Sequence, residues 1–164
     1  GLTAFTTYNW LTSIDSPEDY LPYPVDVDDV FRAKFRAFLL LGPPVGVMYV
    51  AIAAVWKGIR PLEAIAGLAL LLGLMLYLFG VTVYLTGFSP NEFLFDTVLF
   101  AAFFVAIAVV VVPVLVVGFV APPIPTTWLG GLSAVGVGLA VLGLWIYRRA
   151  VPRWTAIHRN GQGG

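Results

Sequence analysis

The sequence predicts an all-α, polytopic transmembrane helical bundle, and three observations carry that expectation. Of 164 residues, 60% are hydrophobic and only 11% charged, whereas soluble domains carry roughly 25% charged residues. The apolar residues fall in four long runs instead of at spaced positions, a pattern that calls for lipid as solvent. The nine acidic and nine basic residues all avoid the centres of those runs. A chain this small has too little interior to hide so much apolar surface from water.

The four runs are about Ala37–Trp56, Leu62–Leu85, Phe93–Val120 and Thr127–Tyr147. Each reaches the roughly 20 residues that cross about 30 Å of hydrocarbon. Helices are the open-chain solution, because lipid offers bare backbone groups no hydrogen-bond partner. Gly42-Pro43-Pro44 predicts a kink or a broken first turn in the first run, and Pro113 suits either a flexing kink in the third or a proline that the span simply tolerates. Three short connectors, Lys57–Pro61, Thr86–Glu92 and Ala121–Pro125, force consecutive helices to run antiparallel. Pro61 with Glu63 marks the start of the second helix, and Ser89, Pro90 and Glu92 form a capping box for the third. Trp56, Trp128, Trp145 and Tyr147 stand at run ends, where amphipathic rings suit the headgroup layer.

Four crossings put both ends on one side. Arg32, Lys34, Arg36, Arg148, Arg149, Arg153 and Arg159 lie on that side, and Lys57 and Arg60 on the other. The excess places both termini in the cytoplasm, with the chain in the cell (plasma) membrane. The expected organisation is an N-terminal cytoplasmic segment over 1–36, four spans over 37–148 and a cytoplasmic polar tail over 149–164 ending in a frayed Gly161–Gly164. No basic region precedes a short apolar stretch, so no signal peptide is expected. The chain begins Gly1-Leu2-Thr3 without methionine, and further residues are expected upstream.

The segment before the first span is the most informative. Six of the nine acidic residues fall within residues 1–36. Pro22 and Pro24 exclude a continuous helix through 20–24. Asp26 can cap a helix beginning at Val27, and Asp28 and Asp29 favour its positive end. Val27, Val30, Phe31, Phe35 and Phe38 recur at helical spacing and form one apolar stripe, with Arg32 and Arg36 on the other side. The result is a short amphipathic helix that either lies along the cytoplasmic surface or leads directly into the first span. It serves as an interfacial anchor or as a docking element for a cytoplasmic partner.

Leu21-Pro22-Tyr23-Pro24-Val25, followed by Val30-Phe31-Arg32-Ala33-Lys34 and then four spans, resembles the transmembrane (permease) subunits of ABC-2 type ATP-binding-cassette exporters. In that family a leucine-proline step, a hydrophobic pair and an alanine-lysine step lead into the third of six spans. The resemblance makes Leu2–Leu11 the end of span two. It implies that Leu21, Pro22, Pro24, Val25, Val30, Phe31, Arg32 and Lys34 form a coupling element that docks on a cytoplasmic ATPase subunit. It also implies a second permease copy, and ATP and Mg bound by the partner ATPase instead of by this chain. One departure is plain: Asp15, Glu18 and Asp19 stand where the family usually carries basic residues. Ser89, Glu92 and Asp96, on the same side, offer a second cytoplasmic contact or simply a capped helix start.

Other chemistry is thinly represented. No Walker pattern occurs, so ATP hydrolysis is not expected of the chain. There is no cysteine, and the single histidine, His158, lies near the polar C-terminal end. No ionisable residue stands at mid-span, which disfavours an intramembrane enzyme or proton relay. The one basic cluster is short and beside a span, so nucleic-acid binding is not expected. Gly42 with Gly46, Ala134 with Gly138, and Gly136 with Ala140 are small-residue pairs that permit close helix approach, within the bundle or across a homodimer seam. A non-transporting membrane scaffold that recruits a cytoplasmic partner is the alternative to an exporter.

Overall fold

The computed structural model describes residues 27–86, 97–120 and 126–161 as helices and one short turn. Helix α1 spans Val27–Lys57, α2 Pro61–Thr86, α3 Thr97–Val120 and α4 Thr126–Gly161. Three of them, α1, α2 and α4, have described stretches long and apolar enough to cross a membrane. In α3 the corresponding apolar stretch is Ala101–Pro113, within a helix of 24 residues. The chain is therefore an all-α membrane protein, as its composition requires.

Helix α2 is the centre. It packs against α1, α3 and, most extensively, α4, while α3 touches no other helix among the described residues. Such a position needs apolar residues all round, and Met75, Tyr77, Leu78, Phe79, Val81 and Val83 are all buried.

Glycines set the α2–α4 contact. A Cβ added at Gly73 would strike the backbone of Gly136, and one added at Gly80 the backbone of Gly143. The reverse holds too: a Cβ at Gly136 would lie 2.5 Å from the Ala69 carbonyl carbon, and one at Gly143 2.5 Å from that of Leu76. Backbone meets backbone here, which only glycine permits. The pairs recur at seven residues along both helices and in the same order. Helices α2 and α4 therefore run parallel with a fixed register, and a seven-residue recurrence is that of a shallow left-handed crossing. Buried Ala66 and Ala150 extend the same heptad lines.

That register has a topological consequence. It sets Thr126 level with the start of α2, so the chain must travel the full length of α2 between Thr86 and Thr126. Helix α3 makes the return, its 24 residues reaching about 36 Å. Three helices are long and apolar enough to cross, and α3 joins two of them that run in the same direction.

Helix α1 packs antiparallel to α2. Gly42 faces Met75, and Gly46 faces Leu71 and Met75, with side chains filling the space that glycine leaves. The expected break at Pro43 and Pro44 does not occur: both lie inside an unbroken helix. Pro44 and its neighbours Leu41 and Val45 are exposed to the surroundings. In lipid a broken turn leaves more unsatisfied groups than the one missing N–H of each proline. Helix α1 ends on Gly58, in the left-handed region at φ 63°, with Ile59 N–H donating to Ala54 O at 3.0 Å. This is a glycine C-cap that satisfies an orphan carbonyl and reverses the chain at once.

Two expected boundaries also dissolve. Helix α1 runs straight across 36/37, so the amphipathic segment leads into the first span and is not a separate surface helix. Helix α4 continues through the expected polar tail to Gly161, over 36 residues and about 54 Å. The expected tail was charged but also held Val151, Trp154 and Ile157 at helical spacing, and Ala150 is fully buried against the bundle.

Candidate functional site

The described residues concentrate their polar anchors, aromatic contacts and basic charge at one end of the bundle, where α1 begins and α4 ends. The sequence reasons are local. Asp28 and Asp29 occupy the first turn of α1, where the helix dipole favours negative charge. Asp28 pairs with Arg32 one turn on at 2.5 Å, with both side chains largely solvated. Such a pair contributes only a few tenths of a kcal/mol, about 0.3–0.5, so it shapes the surface more than the stability.

The apolar stripe of α1 faces inward. Val30, Phe31 and Phe38 are buried and Phe35 is half-buried. Phe35 stacks on Tyr147 of α4 at 4.7 Å between ring centroids, and Phe38 stacks on Phe79 of α2 at 4.2 Å. Tilted contacts join Phe79 to both Phe35 and Tyr147, at 5.7 and 5.8 Å. Rings from three helices thus form one cluster. Stacked pairs contribute about 0.5–1.5 kcal/mol each beyond their burial.

Hydrogen bonds fix its orientation. The Tyr147 hydroxyl donates to the Phe31 carbonyl at 3.0 Å, tying α4 to the second turn of α1. The Trp154 indole N–H donates to the Val83 carbonyl at 3.2 Å, tying the extension of α4 to the end of α2. Tyr77 donates to the Ala106 carbonyl at 3.0 Å and joins α2 to α3. A backbone carbonyl has a second lone pair, so these bonds add to the helical ladder without breaking it. Tyr147, expected in the headgroup layer with the tryptophans, is instead a core residue. Trp56, Trp128 and Trp145 are exposed.

The basic residues ring this end. Arg36, Arg148, Arg149 and Arg153 are exposed. Arg149 lies over the Trp145 ring at 4.8 Å and Arg153 over Tyr84 at 4.7 Å. Lys34 is different: it is 8% exposed and lies on the inward stripe. Its position three after Phe31 and four after Val30 puts it there by helical spacing.

The expected docking residues therefore divide. Val30, Phe31 and Lys34 are buried within the chain, because the stripe they share packs against the bundle. Arg32 points outward. Leu21, Pro22, Pro24 and Val25 lie outside the described residues, as do Ser89, Glu92 and Asp96. Of the small residues, Gly42 and Gly46 are buried at the α1–α2 contact. Among the described residues Ala134 and Gly138 are exposed, and a Cβ on Gly138 would meet nothing within 4 Å. The seam uses Gly136 and Gly143, about 200° around α4 from Gly138 at 100° per residue for the former. The seven-residue recurrence of glycine in both runs, a signal longer than small-xxx-small, would have found them.

Among the described residues no group of three His, Asp or Glu side chains gathers to hold a metal. The arrangement holds two long helices rigidly side by side and presents arginines around them. No protein-family model matches the chain, and no match is found among curated proteins or solved structures.

Proposed function

We propose that the chain is a transmembrane permease subunit, or its C-terminal part, of an ATP-driven exporter of the ABC-2 type. A separate cytoplasmic subunit hydrolyses ATP and pushes on the segment that precedes α1. The permease acts as a dimer in the cell membrane with the described ends in the cytoplasm. The supporting sequence is the Leu21–Lys34 stretch followed by four apolar runs.

One observation carries the mechanical side of this reading. The helix that begins at Val27 is continuous with the first span, and its second turn is fastened to α4 by Tyr147 and the aromatic cluster. A push delivered before Val27 would reach the membrane without a hinge to absorb it. Because Val30 and Phe31 are packed inward, contact with the ATPase falls to Leu21–Val25 and to the outward face of α1, with Asp28, Asp29, Arg32 and Arg36.

The test is co-purification from native membranes. Leu21→Ala/Pro22→Ala and Arg32→Glu variants are expected to lose an ATPase subunit that accompanies the wild type, with yield and thermal unfolding unchanged. Lys57→Glu, at the opposite end, should retain it. Retention by all variants defeats the docking assignment. A partner that is not an ATPase would favour the scaffold reading over transport.

A further inference from the structure

Helices α1 and α2 diverge in how they fill the space between them. Near Gly42 and Gly46 the side chains of Met75 and Leu71 occupy it. Towards the Gly58 turn no described side chain does. An open groove of about 300 Å³ runs there, between Tyr49, Val50 and Ala53 of α1 and Glu63, Gly67 and Leu74 of α2. Its walls are apolar almost throughout. Gly67 forms an exposed stretch of floor, and a Cβ there would meet nothing within 4 Å.

We propose that this groove holds one acyl chain of an anionic phospholipid from the leaflet at the Gly58 end, independently of whether the chain serves an exporter. Depth is the first argument. From Glu63 to Leu74 the groove extends about 17 Å along α2, roughly half of the ~30 Å hydrocarbon layer. It begins at the level of exposed Trp56 and ends near the bilayer midplane, the extent of a single leaflet. Charge is the second. Lys57 and Arg60 stand at the mouth, Lys57 with its amino group 5.2 Å from the centroid of the Trp56 ring. Glu63 offsets part of this: its carboxylate lies 4.0 Å from the Arg60 guanidinium, and the net charge at the mouth stays positive. These two are the basic residues that dissent from the charge bias of the whole chain, and a lipid phosphate gives them a partner. A neutral apolar molecule would make no use of that net positive charge.

Native mass spectrometry of the detergent-purified chain, titrated with dioleoyl phosphatidylglycerol or dioleoyl phosphatidylcholine, tests this. One phosphatidylglycerol is expected to remain bound under activation that strips the rest, with phosphatidylcholine held less well. Gly67→Phe fills the groove from open space and should abolish that adduct; Gly67→Leu, a smaller plug, should do the same if the phenylalanine variant unfolds. Lys57→Gln/Arg60→Gln should keep one lipid but reduce the preference for phosphatidylglycerol about fivefold for each cation removed. Equal lipid retention by wild type and both Gly67 variants would reduce the groove to ordinary annular surface and overturn the proposal. So would a dimer that both Gly67 variants dissociate while lipid adducts stay unchanged, since the occupant would then be a second copy.

Discussion

The two ends of the bundle are built differently although the same helices reach both. At the end where α1 starts and α4 finishes, rings from three helices interlock and two side-chain hydrogen bonds cross between helices. At the Gly58 end, Val55, Trp56, Leu62 and Ile65 are all more than half exposed, and α1 stands off α2 by the width of a groove. Lipid explains how one chain tolerates both. Exposed apolar side chains cost nothing in hydrocarbon, so packing is needed only where helices must be held in a fixed relation. The result is one tightly tied end, where α1 starts and α4 finishes, and one looser end at Gly58.

Substitutions can break this contrast, and the glycine seam should break it most severely. Gly80→Leu forces α2 and α4 apart where their backbones touch. A destabilisation of about 3 kcal/mol or more is expected, seen as loss of the folded species in detergent thermal unfolding, while Gly138→Leu on the open face of α4 should leave the midpoint nearly unchanged. Equal effects at the two positions would contradict the assigned seam.

Next in size is the aromatic cluster. Phe79→Ala should cost about 2 kcal/mol, less than in a water-soluble core because lipid still solvates the side chain after unfolding. The bond from Tyr147 to Phe31 is smaller again. Tyr147→Phe keeps the stack and removes only the hydroxyl, for about 0.6 kcal/mol. Its clearer signature is faster amide exchange over residues 27–34, with the Gly58 end unaffected; uniform exchange along α1 would show that the tie is not local. At the opposite end, Leu62→Ala should change stability by less than about 0.5 kcal/mol, which sharpens the contrast by showing that exposed apolar bulk there carries little.

Much of this was legible in the residues. The apolar runs located all four helices but missed the start of α1 by ten residues and the end of α4 by fourteen, while the Pro61/Glu63 start appears as expected. Helical spacing identified the Val30–Phe38 stripe and the outward face of Arg32 and Arg36. Three things were not legible. The apolar stripe does not say whether it meets headgroups or other helices, since both reward the same residues; the structure turns it inward, and Lys34 with it. Tyr147 reads equally well as an interfacial or a core ring, until Phe31 offers its carbonyl. Charge after Tyr147 looks like a solvated tail, yet Arg148, Arg149 and Arg153 are exposed on a helix that also carries buried Ala150 and the hydrogen-bonded Trp154.

By itself the sequence determined the solvent and the class of element, because both follow from hydropathy and from the backbone's need for hydrogen bonds in lipid. Which glycines meet, which aromatic rings interlock and where α1 and α2 leave a groove were decided only in three dimensions. Those features depend on the register between helices, and register is fixed by contacts between residues far apart in the chain, on which local spacing is silent.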